Sequence, residues 1–126
     1  MCTKAEWIKE VEKLCSSIET EMKANTSIRV HRGKEIKTEY NGETYMVPSL
    51  LMEFGSKNVV VTPVSRFVNS YDGRVDVFRN NRRVFALVLK DNKWRKLNAI
   101  KKFPNLLSVR ETRFSPKSFT KAFNGR

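Results

Sequence analysis

Two short runs hold the residues best placed to do chemistry. Phe78-Arg79-Asn80-Asn81-Arg82-Arg83 sets three arginines around a turn signal, and Lys93-Trp94-Arg95-Lys96 sets three cations around a tryptophan. Lys101 and Lys102 follow close behind. Cations at this density neutralise phosphates and release counterions, giving a strong, salt-dependent attraction without sequence preference. An exposed Trp94 would add a stacking surface for an unpaired base. On a strand Trp94 and Lys96 share one face, and Lys93, Arg95 and Leu97 the other, which also fits an edge strand whose charges discourage edge-to-edge pairing.

Charge placement sharpens this reading. Net charge is +12 over 126 residues. Residues 1–53 hold eight Lys/Arg against nine Asp/Glu, and residues 54–126 hold seventeen against four. The whole surplus therefore lies in the second part, and so one-sided an excess points to an anionic partner. The expected partner is nucleic acid, bound without catalysis through Arg79, Arg82, Arg83, Lys93, Trp94, Arg95, Lys96, Lys101 and Lys102. The alternative is a small protein–protein subunit or inhibitor docking on an acidic partner in a larger complex, where a sheet edge offers strand addition.

A second arrangement is Gly73-Arg74-Val75-Asp76 followed across a turn by Val88-Leu89-Lys90. An acid on one strand and a lysine ending the next resembles the metal-dependent restriction-endonuclease-like nucleases. The resemblance covers Gly73 to Lys90. It implies carboxylates holding a divalent cation and a lysine supporting the attacking water. That pattern wants a second carboxylate two residues before the lysine, where this chain has Val88. A lone Asp is a poor magnesium site, so the resemblance implies a degenerate, binding-only relative before an active nuclease. Glu53 could complete a pair, though nothing in the sequence places it there, and an ion pair of Asp76 with Arg74 or Arg83 is the structural alternative.

Other chemistries find no residues. His31 is the one histidine, flanked by Val30 and Arg32, so no acid–base relay is expected. Cys2 and Cys15 are the two cysteines. Cys15 sits on an apolar stripe as packing, Cys2 near the terminus is open to oxidation, and no disulfide-linked partner is expected. No Cys-x-x-Cys pair, Gly-rich phosphate loop or nucleophile elbow occurs. No catalytic residue, metal or cofactor is expected. With no apolar run long enough to span a bilayer and no secretory leader, no membrane association and a cytoplasmic location are expected.

These residues need a scaffold. Thr3-Lys4-Ala5-Glu6 is a capping box, and Ile8, Val11, Leu14, Cys15, Ile18 and Met22, with Trp7 at the edge, form one helix face over Lys4–Lys23. Short extended segments are expected at Ser27–His31, Lys34–Tyr40 and Glu43–Val47, the last two joined by Asn41-Gly42 in a type I′ turn, with Pro48 ending the strand. Ser49–Gly55 reads as strand or irregular. Val59–Val61 reads as a central strand covered on both faces. Pro63 interrupts that run, Val64–Val68 continues it, and Arg74–Phe78, Arg83–Leu89, Lys93–Leu97 and Val109–Phe114 complete the strands. Ser115-Pro116 starts a short helix over Ser118–Phe123. The expectation is a single α+β domain over residues 1–126. Its N-terminal amphipathic helix packs on a five- to six-stranded, mainly antiparallel sheet, and a short C-terminal helix follows.

Overall fold

The helix begins where the capping box demands. In the computed structural model Thr3 Oγ1 accepts from the Glu6 amide at 3.1 Å and Glu6 Oε1 accepts from the Thr3 amide at 3.2 Å. These bonds hold the Glu6 carboxyl below its ordinary range. The structure describes residues 3–68, 71–102, 106–117 and 119, without the side chains of 67, 68, 99–102 and 106–109. Helix α1 spans Lys4–Lys23 and buries Trp7, Val11, Leu14, Cys15, Ile18 and Met22, each worth roughly 2 kcal/mol in removed apolar surface. Burial pushes the Cys15 thiol up to about 12, which leaves it an inert core group. Cys2 lies outside the described residues.

Seven strands follow in an unbroken antiparallel meander: β1 (Arg29–Thr38), β2 (Thr44–Phe54), β3 (Lys57–Val68), β4 (Tyr71–Arg79), β5 (Arg82–Lys90), β6 (Lys93–Lys102) and β7 (Leu106–Arg113). The expected count is five or six. Segments that read as separate merge, so Ser27–His31 and Lys34–Tyr40 become one β1. Pro48 does not end β2, which runs through it. The β2–β3 ladder extends only from Leu50 opposite Val61 to Phe54 opposite Lys57, so at Pro48 there is no β3 partner to miss its absent donor. Buried side chains of β2 change phase there, from Tyr45 and Val47 to Leu50 and Met52. The expected C-terminal helix over Ser118–Phe123 falls, Phe119 apart, outside the described residues.

The first hairpin also differs from expectation. Gly42 donates to Glu39 O at 2.8 Å, Glu39 donates to Glu43 O at 2.7 Å, and only Gly42 has positive φ, at 89°. This is a three-residue loop closed by a left-handed glycine, not a type I′ turn. Two side-chain ties brace the hairpin against β3. Arg66 donates to both Glu39 oxygens at 2.6 and 2.7 Å, and Thr62 donates to Glu35 at 2.6 Å.

α1 lies over one face of the sheet. Trp7 is fully buried against Gly73, where an added Cβ would collide with three ring carbons, so the glycine is what lets the indole settle on β4. The Tyr45 hydroxyl lies beside the Trp7 indole N–H, short of hydrogen-bond geometry. Arg32 of β1 clamps the helix from outside, donating to Glu19, Glu12 and Ser16 at 3.1, 3.0 and 2.8 Å. Burial alone would raise the Glu19 carboxyl, but the bonds from Arg32 and Lys23 outweigh it and bring it below its ordinary value. Beside α1, Phe119 packs edge-on against Phe85 and Phe114 with centroids 5.6 and 6.0 Å apart. Val59 and Val61 face this core, whereas Val60 points to the other face and is only half-buried. The expectation of a strand covered on both faces is thus corrected: α1 covers one.

Candidate nucleic-acid interface

The β4–β5 turn is built from Asn80 and Asn81, with φ of 48° and 68°. Two positive φ values make a type I′ turn, which asparagine tolerates because its short amide bonds locally. Asn80 is also tied to β3. Its amide donates to Asn58 O at 3.0 Å, and its side-chain oxygen accepts from the Asn58 amide at 2.9 Å. The turn that carries Arg79, Arg82 and Arg83 is therefore fixed to its neighbour. Arg82 is exposed and has no carboxylate partner among the described residues, while Arg83 makes only a 3.8 Å contact with Asp76.

The β5–β6 turn is a second type I′ turn, with Asp91 at φ 51° and Asn92 at φ 62°. It presents Lys90 and Lys93, both exposed. From there the strand alternates as its sequence requires. Trp94 turns toward α1 and tilts against Trp7, with centroids 5.8 Å apart and planes at 44°. Lys96, on the same face, sets its ammonium 4.4 Å from the Phe85 ring centroid in a cation–π contact. Arg95 points the other way, 3.5 Å from Glu111, whose carboxylate also accepts from the Tyr71 hydroxyl at 2.9 Å. That bond raises the Tyr71 phenol.

The nine expected binding residues do not form one patch. At ~3.3 Å per residue, Arg82 and Lys90 stand ~26 Å apart at opposite ends of β5. Arg79, Arg82 and Arg83 gather at one end of the sheet, and Lys93, Trp94 and Arg95 at the other. Lys101 and Lys102 return along β6 toward the Arg82 end, and only their backbone is described.

The Lys93 end opens into a groove of about 800 Å³ between α1 and the β6–β7 edge. Lys13 and Leu14 line it from the helix, Lys93 and Trp94 from β6, Arg113 and Phe114 from the end of β7. Trp94 and Phe114 are half-buried against the core, and Lys93 and Arg113 are exposed. Lys13 reaches Glu10 at 3.5 Å. Arg113 and Phe114 belong to this site and were not anticipated. The alternation Arg110-Glu111-Thr112-Arg113-Phe114 carries the same cation–aromatic signature as Lys93–Lys96 and could have flagged them.

The face of the sheet away from α1 is laced with charge. Arg74, Val88, Arg95 and Arg113 stand in register across β4 to β7, and Asp76, Ala86, Leu97 and Glu111 form the next row. Asp76 is nearly buried and accepts from Arg74 at 2.8 and 3.3 Å, as the ion-pair alternative anticipated. Its register partner is Ala86, so Lys90 lies four residues further on, ~13 Å along the strand. Glu53 sits on β2, where it contacts His31 at 2.9 Å across the first ladder. The residues that the nuclease resemblance would assemble are thus not brought together, and His31 does have a carboxylate partner, which its sequence neighbours do not reveal. Among the described residues no three His, Cys, Asp or Glu cluster as metal ligands, and no helix is long and apolar enough to cross a membrane. No protein-family model, curated protein or solved structure matches the chain.

Proposed function

We propose that this chain is a non-enzymatic, cytoplasmic binding module for nucleic acid that contacts the phosphate backbone from both ends of its sheet. The observation that carries the reading is which cations lack an acid. Arg32, Arg66, Arg74 and Arg95 each meet a carboxylate. Arg82, Lys90, Lys93 and Arg113 meet none among the described residues, and all four are exposed. An unmatched cation held on a rigid type I′ turn or at a strand end costs little further ordering when a phosphate arrives, so most of the counterion-release gain is kept.

Anisotropy titrations of labelled single- and double-stranded DNA and RNA across a salt series test the proposal. Affinity should fall steeply with salt, and Arg82→Glu with Arg83→Glu should flatten the slope by about one for each phosphate no longer neutralised. Absence of binding at low salt overturns it.

A second reading, docking on an acidic protein, rests on the open edge of β1. Ile36 and Met46 stand in register on this hairpin and are 70% and 54% exposed. Strand addition there predicts a complex of fixed stoichiometry with one acidic protein that Ile36→Lys disrupts. Recovery of no such partner counts against it.

A further inference from the structure

We infer that the groove between α1 and the β6–β7 edge is a stacking site for an unpaired base, which makes single-stranded nucleic acid the form this module prefers. The inference deepens the proposed function and rests on it. Trp94 and Phe114 each press one part of the ring system into the core and leave the rest lining the groove. Their core contacts, Trp7 behind Trp94 and Phe119 behind Phe114, hold the rings in place, so they offer π surfaces that lose little freedom when a base lies on them. Every base has a π face, so such a platform takes any unpaired base without reading its edge.

The rim supplies the rest of a nucleotide's chemistry. Lys93 and Arg113 line the groove from strand positions whose side chains alternate to the face away from α1, so they form its outer rim, without carboxylate partners among the described residues. Lys13, paired with Glu10, lines the helix side. A backbone crossing the groove would set phosphates against Lys93 and Arg113 with its base turned inward onto Trp94. Bases stacked inside a duplex have no free face to offer and cannot enter from the side. The Arg79–Arg83 turn is different, since its arginines contact phosphates of either form. The two ends therefore divide the work, one end holding backbone and the other selecting strandedness.

The test is anisotropy at low salt with a labelled mixed-sequence single strand and its duplex, using the full chain. The variants Trp94→Leu and Phe114→Leu remove the rings, Lys93→Ala with Arg113→Ala removes the rim, and Arg82→Ala alters the far turn; thermal melts confirm folding. Wild-type protein should bind the single strand more tightly. Each ring variant should lose about tenfold in single-strand affinity with duplex affinity unchanged. Tryptophan quenching by the single strand should vanish in Trp94→Leu. The rim variant, exposed and safe for folding, should weaken single-strand binding more than duplex binding. Equal wild-type affinity for both forms, or folded ring and rim variants that bind the single strand normally, overturns the groove. Loss on Arg82→Ala with no effect of the rings or rim overturns the groove while leaving nucleic-acid binding intact. No binding of either oligonucleotide to wild-type protein overturns both.

Discussion

The arginines of the open face and those of the turns and strand ends have the same chemistry and opposite situations. Arg74 lies along the sheet with two bonds to a nearly buried Asp76, and Arg95 shares Glu111 with Tyr71. Arg82 and Arg113 lie exposed at a turn and a strand end with no carboxylate partner among the described residues. The first set spends its charge inside the protein and the second keeps it for solvent or a partner. The difference teaches that a basic count overstates the basic surface. Only four acids stand among residues 54–126, and acids of the first part are engaged by cations of that same part, as Glu12 and Glu19 are by Arg32. The cations left over are the ones a polyanion could find.

If this division is right, stability and binding should come apart under mutation. The largest effect is expected for Asp76→Ala, which strands Arg74 on a half-buried face. Urea unfolding should show a loss of about 3 kcal/mol, while the folded variant binds nucleic acid at least as tightly as wild type. A smaller loss, about 2 kcal/mol, is expected for Asn80→Ala, which removes the bond to Asn58 and puts alanine in a left-handed conformation. Here binding should weaken too, because the turn presenting Arg82 loses its brace; unchanged binding would show that the brace does not matter to the site.

The Glu39–Arg66 pair gives a pH-dependent version of the same test. The guanidinium bonds hold the Glu39 carboxyl below its ordinary value, so the folded form binds its proton less readily than the unfolded chain. The stabilisation is complete above the unfolded value of ~4.3 and is lost as pH falls through the depressed one. Glu39→Gln should cost about 1.5 kcal/mol at neutral pH. The gap between variant and wild type should close as the pH is lowered below ~4, with nucleic-acid affinity at pH 7 unaltered. The smallest stability effect belongs to Arg82→Ala with Arg113→Ala, within about 0.5 kcal/mol of wild type. This pair should nonetheless reduce the salt slope of binding by about two. A pair that unfolds the protein instead would erase the distinction between matched and unmatched cations.

Much of the fold was legible from local signals. The capping box and the three-four spacing from Ile8 to Met22 located α1, although Trp7, read at the edge of the stripe, is fully buried and Ile8 only partly so. The turns at Asn80-Asn81 and Asp91-Asn92 were marked by their own chemistry. The continuity of β2 was not legible, because Pro48 normally ends a strand and is tolerated here where β2 has parted from β3. The candidate site was half legible. The cationic runs were plain, but their separation by the length of β5 was not, nor was the recruitment of Lys13, Arg113 and Phe114 from elements far apart in sequence.

What the sequence by itself determined is the menu: one amphipathic helix, alternating strands joined by tight turns, and a cationic surplus confined to its second part. Periodicity, turn propensity and charge are local properties, so they survive reading one residue after another. What only the tertiary structure decided is the pairing. It set Arg74 and Arg83 beside Asp76, turned Trp94 onto Trp7 while leaving part of it on a groove, and sent Arg82 and Lys93 to opposite ends of the sheet. Register and helix docking set those contacts, and both depend on burying the whole core at once, with Gly73 making room for Trp7 at its centre.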